Sequence, residues 1–130
     1  MGQKINPIAF RLGVNRGWDS IWFAKKKEFG KYLIEDFKIR KYIRKNILNS
    51  GVSDVVIERS GKKLIVSVHT SRPGFVIGKK GADIEKIKSN VLKISKDSEV
   101  TINIKEIKKP EINSYLVAEN IATQLVKRIA

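Results

Sequence analysis

The 130-residue sequence predicts an α+β fold, a three-stranded mixed sheet packed by helices, and three observations carry that reading. Residues 52–59 and 64–70 are rich in β-branched side chains and are joined by Ser60-Gly61-Lys62-Lys63, the composition of a hairpin. Residues 82–94 space Ile84, Ile87, Val91 and Ile94 by three, four and three, the period of an amphipathic helix. Residues 99–107 alternate Val100, Ile102 and Ile104 with Thr101, Asn103 and Lys105, as a half-buried strand does.

Taken in chain order, residues 1–17 hold Pro7, Gly2, Gly13 and Gly17 with Lys4, Arg11 and Arg16, and they show no sustained period. They read as an extended basic N-terminal arm. Trp18, Ile21, Trp22 and Phe23 follow, just ahead of Lys25-Lys26-Lys27. Such rings either stack on bases or anchor the arm onto the domain, and anchoring is the favoured reading. From residue 28 to 48, Phe29, Leu33, Phe37, Tyr42, Ile43 and Ile47 recur near helical spacing, with a break expected at Glu35-Asp36. The other face carries Lys31, Lys38, Arg40, Lys41, Arg44 and Lys45, either a solvated surface or one that meets phosphate. Asn49-Ser50-Gly51 ends this helix.

After the hairpin, Ser71-Arg72-Pro73-Gly74 leads through Phe75-Val76-Ile77 to Gly78-Lys79-Lys80-Gly81 and the amphipathic helix. Beyond the last strand, Lys108-Lys109-Pro110 interrupts the chain. From residue 112, Tyr115, Ala118, Ala122, Leu125 and Ile129 then mark a final helix running to the chain end. The expected organisation is an arm at 1–17, an α+β domain with its leading helix at 18–110, and a terminal helix at 111–130.

Charge narrows the function. Lysine and arginine number 27 against 13 aspartates and glutamates, a net charge of +14, which resists self-association and attracts polyanions. The excess is +8 over residues 1–48, +5 over 49–97 and only +1 over 98–130. Cysteine is absent, which excludes disulfides, thiolate metal sites and cysteine nucleophiles. His69 stands alone in strand-like sequence and reads as a solvated or hydrogen-bonded residue. With no clustered acidic pair either, acid–base and metal chemistry lack players, so no enzyme, no cofactor and no small-molecule substrate is expected. The first residues form no apolar leader, and no apolar stretch nears the roughly 20 residues that span a bilayer. The expected partner is therefore nucleic acid, with no membrane partner, in a soluble intracellular protein.

The glycine loop is where phosphate contact is expected. Gly78 can end a short helix with positive φ, Gly81 lets the backbone approach a ligand, and the following helix offers free N–H groups with a positive dipole end. Lys79 and Lys80 add mobile charge without base specificity. Val76, Ile77 and Ile84 would frame a groove for unpaired bases. Asp83 complements the same helix end and would compete there with phosphate. The plainer alternative is a connector whose lysines are merely exposed.

The run from Val76 through Gly78-Lys79-Lys80-Gly81 to Ile84 resembles the signature of K-homology (KH) domains, which clamp single-stranded RNA along a GxxG loop. A leading helix and two strands before the loop, with one strand after it, are similar to the type II order. Met1-Gly2-Gln3-Lys4, Pro7, Arg11-Leu12-Gly13, Trp22-Phe23-Ala24, Lys27-Glu28-Phe29, Ser71-Arg72-Pro73-Gly74 and Lys109-Pro110-Glu111 resemble the family of bacterial small ribosomal subunit protein three.

That resemblance covers essentially the whole chain. It implies a structural constituent of the small-subunit head that binds small-subunit rRNA and lies beside ribosomal proteins ten and fourteen. The implied location is the ribosome, cytoplasmic or organellar. The family continues into a second α+β domain, so the last helix is expected to begin a domain absent from this sequence. The basic residues lining the mRNA channel lie at and beyond that junction, which leaves an mRNA contact an open expectation. A free-standing KH regulator or RNA chaperone is the alternative. The expected RNA-binding residues are Gly78, Lys79, Lys80, Gly81, Arg72, Lys4, Arg11, Arg16, Lys25, Lys26, Lys27, Lys108 and Lys109.

Overall fold

In the computed structural model, residues 2–47, 50–78, 81–95 and 99–129 are described. The hairpin forms where β-branching and Gly61 place it, as β2 (Val52–Ser60) and β3 (Lys63–Thr70), with Gly61 at φ 56° in the turn. Their antiparallel register runs from Val52 opposite Thr70 to Ser60 opposite Lys63. On β3's far side lies β4 (Glu99–Glu106), parallel to it from Lys63–Glu99 to Thr70–Glu106. A parallel neighbour requires a crossover. Here it is made by α3 (Pro73–Ile77) and α4 (Ala82–Ile94).

The same construction recurs on the other edge. A two-residue strand, β1 (Ser20–Ile21), pairs in parallel with Ile57 and Glu58, and α2 (Lys26–Asn46) carries the chain back to β2. The sheet thus has four strands in the order β1-β2-β3-β4, one more than the sequence predicts. Two residues of strand leave no periodicity to read. From α2 onward the order is α-β-β-α-α-β, the type II KH arrangement.

Helices α2 and α4 cover one face of the sheet. Ile39, Ile43 and Ile47 of the α2 end and Ile87 and Val91 of α4 join Val55, Ile57, Leu64, Val66, Val68 and Val100 in one buried cluster. Each such side chain contributes about 1.5–3 kcal/mol on burial. On the opposite face Thr101, Asn103 and Lys105 are exposed, as the alternation requires.

Four expectations need correction. Helix α2 runs unbroken through Glu35 and Asp36, because Asp36 is fully buried among donors and needs no loop to be satisfied. Its inner face in this half is consequently Asp36, Ile39 and Ile43, while Phe29, Leu33 and Phe37 are exposed despite their helical spacing. The arm is not extended throughout: Asn6 Oδ1 accepts from the N–H groups of Ile8 and Ala9, Pro7 supplies a preset φ, and α1 (Pro7–Arg11) forms. The final helix begins later and ends earlier than expected. Pro110–Ile112 is a single 3₁₀ turn, and α5 (Ser114–Val126), capped by Asn113 Oδ1, buries only Leu116. Of the proposed helix terminator, Asn49 lies outside the described residues, and α2 ends at Asn46.

Candidate nucleic-acid interface

The loop after β3 is shaped by backbone constraints on both sides. Pro73 starts α3, and Gly78 stops it with its N–H donating to the Gly74 carbonyl at 3.0 Å. Gly78 has φ 71° and ψ −176°, a combination essentially reserved to glycine. A Cβ there would also collide with the Asp83 carboxylate. Gly81, at φ 80° and ψ 5°, is the N-cap of α4 in the left-handed region, with open space where a Cβ would be. The two glycines therefore differ in demand: Gly78 is fixed by conformation and by a neighbour, Gly81 by conformation alone.

Lys79 and Lys80, the loop's expected phosphate contacts, lie outside the described residues. Asp83 stands in the first turn of α4, over Gly78, and its Oδ1 accepts from Lys86 Nζ at 3.3 Å. A carboxylate at this helix end complements the dipole and opposes an incoming phosphate, as the sequence suggests.

The remaining candidates divide between the two ends of the sheet. Thr70 and Glu106 sit opposite each other at one end, and Ile107 N–H donates to the Thr70 carbonyl, so Arg72 and Lys108-Lys109 leave the sheet side by side. Arg72 lines a cleft there with Glu111, Glu119, Asn120 and Lys127. Two carboxylates there balance the charges of Arg72 and Lys127, so the cleft carries no net positive charge from these four side chains. The glycine loop, five helical residues after Arg72, belongs to the same end.

Lys25, Lys26 and Lys27 belong to the other. Helix α2 runs antiparallel to β2, with Asp36 at Arg59 and Ser50 at Thr70. Its first turn therefore stands about 15 Å beyond Asp36, at 1.5 Å rise per residue. All three lysines are exposed. Lys4 and Arg11 are exposed on an arm whose short helix buries nothing, while Arg16 pairs with Asp19 at 3.7 Å. Among the described residues, no single patch gathers the candidates.

The aromatic cluster splits by role. Trp22 Nε1 donates to Asp36 Oδ2 at 2.7 Å, and its ring meets Phe29 and Tyr32 at centroid distances of 5.3 and 5.8 Å. It anchors the arm. Phe23 and Trp18 are 94% and 67% exposed and stay available for stacking.

What sequence reasoning missed is the polar cluster behind that anchor. Asp36 also accepts from Ser20 Oγ and from Arg59 Nε and Nη2, at 2.9, 3.2 and 2.6 Å. Arg59 further donates to Glu35 Oε2 at 2.9 Å and stacks on Tyr32 at 4.6 Å. Arg40 donates to Val55 O, Asp19 O and Ser20 Oγ, which ties the arm to β2. The available signal was Glu35-Asp36 inside an otherwise sound helical pattern, together with an arginine closing an apolar strand.

Among the described residues no group of three potential metal ligands comes together, and no helix is long and apolar enough to cross a membrane.

Comparison with known proteins agrees with this geometry. The KH domain profile matches residues 38–112, from the second half of α2 to the turn after β4. Small ribosomal subunit protein uS3 of Pelagibacter ubique is 72% identical over 130 residues. The uS3 proteins of Parvibaculum lavamentivorans and of a Sulfurovum species are 58% and 53% identical over 130 and 131 residues. All of this chain is covered in each case, against 57%, 55% and 56% of those relatives, so the chain spans about half their length. The chain therefore belongs to the KH-domain family, and along its whole length it is similar to bacterial uS3 proteins.

Proposed function

We propose that this chain is a structural constituent of the small ribosomal subunit, binding small-subunit rRNA and catalysing nothing. One observation carries the reading: identity of 53–72% to proteins named as small-subunit components extends along all 130 residues, arm included, instead of stopping at the KH domain. A free-standing KH regulator would need to resemble them only over residues 38–112. The net charge of +14 and the exposed rings of Trp18 and Phe23 suit burial in folded RNA.

The finer parts of the proposal rest on chemistry. RNA contacts are assigned to Lys4, Arg11 and Lys25–Lys27 through exposure and charge, and to Gly78–Gly81 through the backbone geometry of the glycines. Arg16, Lys108 and Lys109 join them as auxiliary contacts. Ribosomal proteins ten and fourteen are the proposed protein neighbours, and a cytoplasmic ribosome the proposed location. Residues 1–17 and 111–130 are treated as appendages of an 18–110 domain, because α1 buries nothing and α5 only Leu116.

The test is sedimentation of the tagged chain in cells, followed by crosslinking. Co-migration with small subunits at moderate salt is expected, with crosslinks in small-subunit rRNA. Crosslinks mainly in messages, from a chain that sediments free, would overturn the proposal in favour of a regulator.

A further inference from the structure

A cationic groove lies on the flank of α4 opposite Ile84 and reaches Phe75 and Val76 at its end nearest the glycine loop. Helices α2 and α4 run antiparallel across the sheet, with Glu35 beside Ser95 and Tyr42 beside Asn90. Between them is a groove of about 640 Å³, lined by Lys45 of α2 and by Lys86 and Lys93 of α4. Asp83 is the only acidic residue among its described lining, and Lys86 neutralises it. By helical spacing Lys86, Asn90 and Lys93 share one flank of α4, while Ile84 and Lys88 lie on the other.

The polar groups in the groove are held in place. Asn90 Nδ2 donates to the Tyr42 hydroxyl at 2.8 Å, and Lys93 Nζ donates to Asn90 Oδ1 at 3.4 Å. The Tyr42 hydroxyl, serving as acceptor, keeps its own proton to donate. Asn46, its amide bonded to the Tyr42 carbonyl, lines the next turn. Phe75 closes the end nearest the glycine loop with its ring 65% exposed.

Three lysines with one paired carboxylate, a fixed phenol and amides, and an open aromatic face are the groups that bind phosphates, sugar hydroxyls and an unstacked base. They do not suit an apolar peptide, for which the groove offers little desolvated surface. An acidic peptide would use the lysines alone, whereas RNA also uses the phenol, the amides and the open ring, and lysine binds phosphate as a point charge. We infer that the α2–α4 groove is a second RNA-contact site, which takes sugar-phosphate backbone along Lys45, Lys86 and Lys93 with one base against Phe75. The inference rests on the rRNA-binding reading above and adds a face to it. A chain contacted on both flanks of α4 is clamped onto folded RNA instead of reading one single strand.

The test uses the unmodified chain with a small-subunit rRNA transcript. Lysine acetylation is followed by mass spectrometry with and without RNA, and Lys45, Lys86 and Lys93 are expected to lose reactivity together, several-fold. In K45A/K86A/K93A, the slope of log affinity against log salt is expected to fall by about two to three, since each phosphate left without its lysine removes about 0.7–0.9 from that slope. If the wild-type chain binds while the three lysines react as they do free, the groove assignment is wrong and the rRNA reading stands. Protection only in assembled subunits, not with rRNA alone, would make the occupant a protein and overturn the inference. If the wild-type chain shows no preference for small-subunit rRNA over unrelated RNA, the functional reading fails and takes the groove with it. The footprint needs no variant, so it decides the matter even if the triple substitution disturbs folding.

Discussion

Helix α2 meets the rest of the molecule twice, and the two meetings differ in kind. Toward its C-terminus Ile39 and Ile43 press fully buried onto the apolar face of the sheet. One turn earlier the same face presents Asp36, equally buried, to Ser20, Trp22 and Arg59. Apolar contact is indifferent to direction and holds whichever surface fits; a buried carboxylate is stable only when specific donors reach it. The first meeting secures the helix to the sheet. The second selects which segment of chain lies beside it, and that segment is residues 20–22, to which the arm is joined.

Substitutions separate these roles. The largest effect is expected from Asp36→Ala, which leaves Arg59 buried without its closest partner and orphans the Trp22 and Ser20 donors: about 3–5 kcal/mol in urea unfolding. Cleavage at Lys25 and Lys26 by trypsin should also begin under native conditions. A loss below about 1 kcal/mol would make the polar meeting a bystander. Next comes Ile43→Ala, expected to cost about 3 kcal/mol through lost burial and a cavity. Here the arm should be cut no faster than global unfolding allows, and preferential cutting would erase the distinction between the two meetings. Trp22→Phe keeps the ring packing and removes one N–H donor to a charged acceptor, about 1.5 kcal/mol. Arm cleavage should rise more than the urea midpoint falls. The smallest effect, about 0.5 kcal/mol, is expected of Arg44→Ala, whose guanidinium sits 5.5 Å from the Tyr115 ring at the surface. Only amide exchange in α5 should quicken.

The sequence was most legible where one kind of periodicity was sustained. Residues 82–94 match α4 at both ends, and the hairpin and β4 are within one residue of their expected bounds, because spacing there reports burial directly. It misled where burial was polar. Phe29, Leu33 and Phe37 keep helical spacing yet face outward, while the inward position belongs to an aspartate whose partners lie 14 to 23 residues away. Strand β1 was illegible for a related reason: its register is set by Ile57 and Glu58, not by its own two residues. Of the candidate site, the glycine geometry could be read from composition. The division of Arg72 and Lys25–Lys27 between opposite ends of the sheet could not, since it depends on the direction in which α2 crosses.

The parallel pairing of β1 with β2 also imposes an order in time. During synthesis from the N-terminus, Ser20 and Ile21 appear long before their partners Ile57 and Glu58, and Asp36 before Arg59. At about 5–20 residues per second, β1 waits on the order of two to seven seconds for the strand it pairs with, while α2, carrying Phe29, Tyr32, Asp36 and Arg40, reaches it first. On the opposite edge of β2, Ile57 and Glu58 pair with Val66 and Ile65 through a hairpin closed by a four-residue turn. The hairpin is a local event and forms within microseconds once it is complete. The β1 segment is thus made before either strand of the hairpin, yet its place in the sheet exists only once β2 has formed.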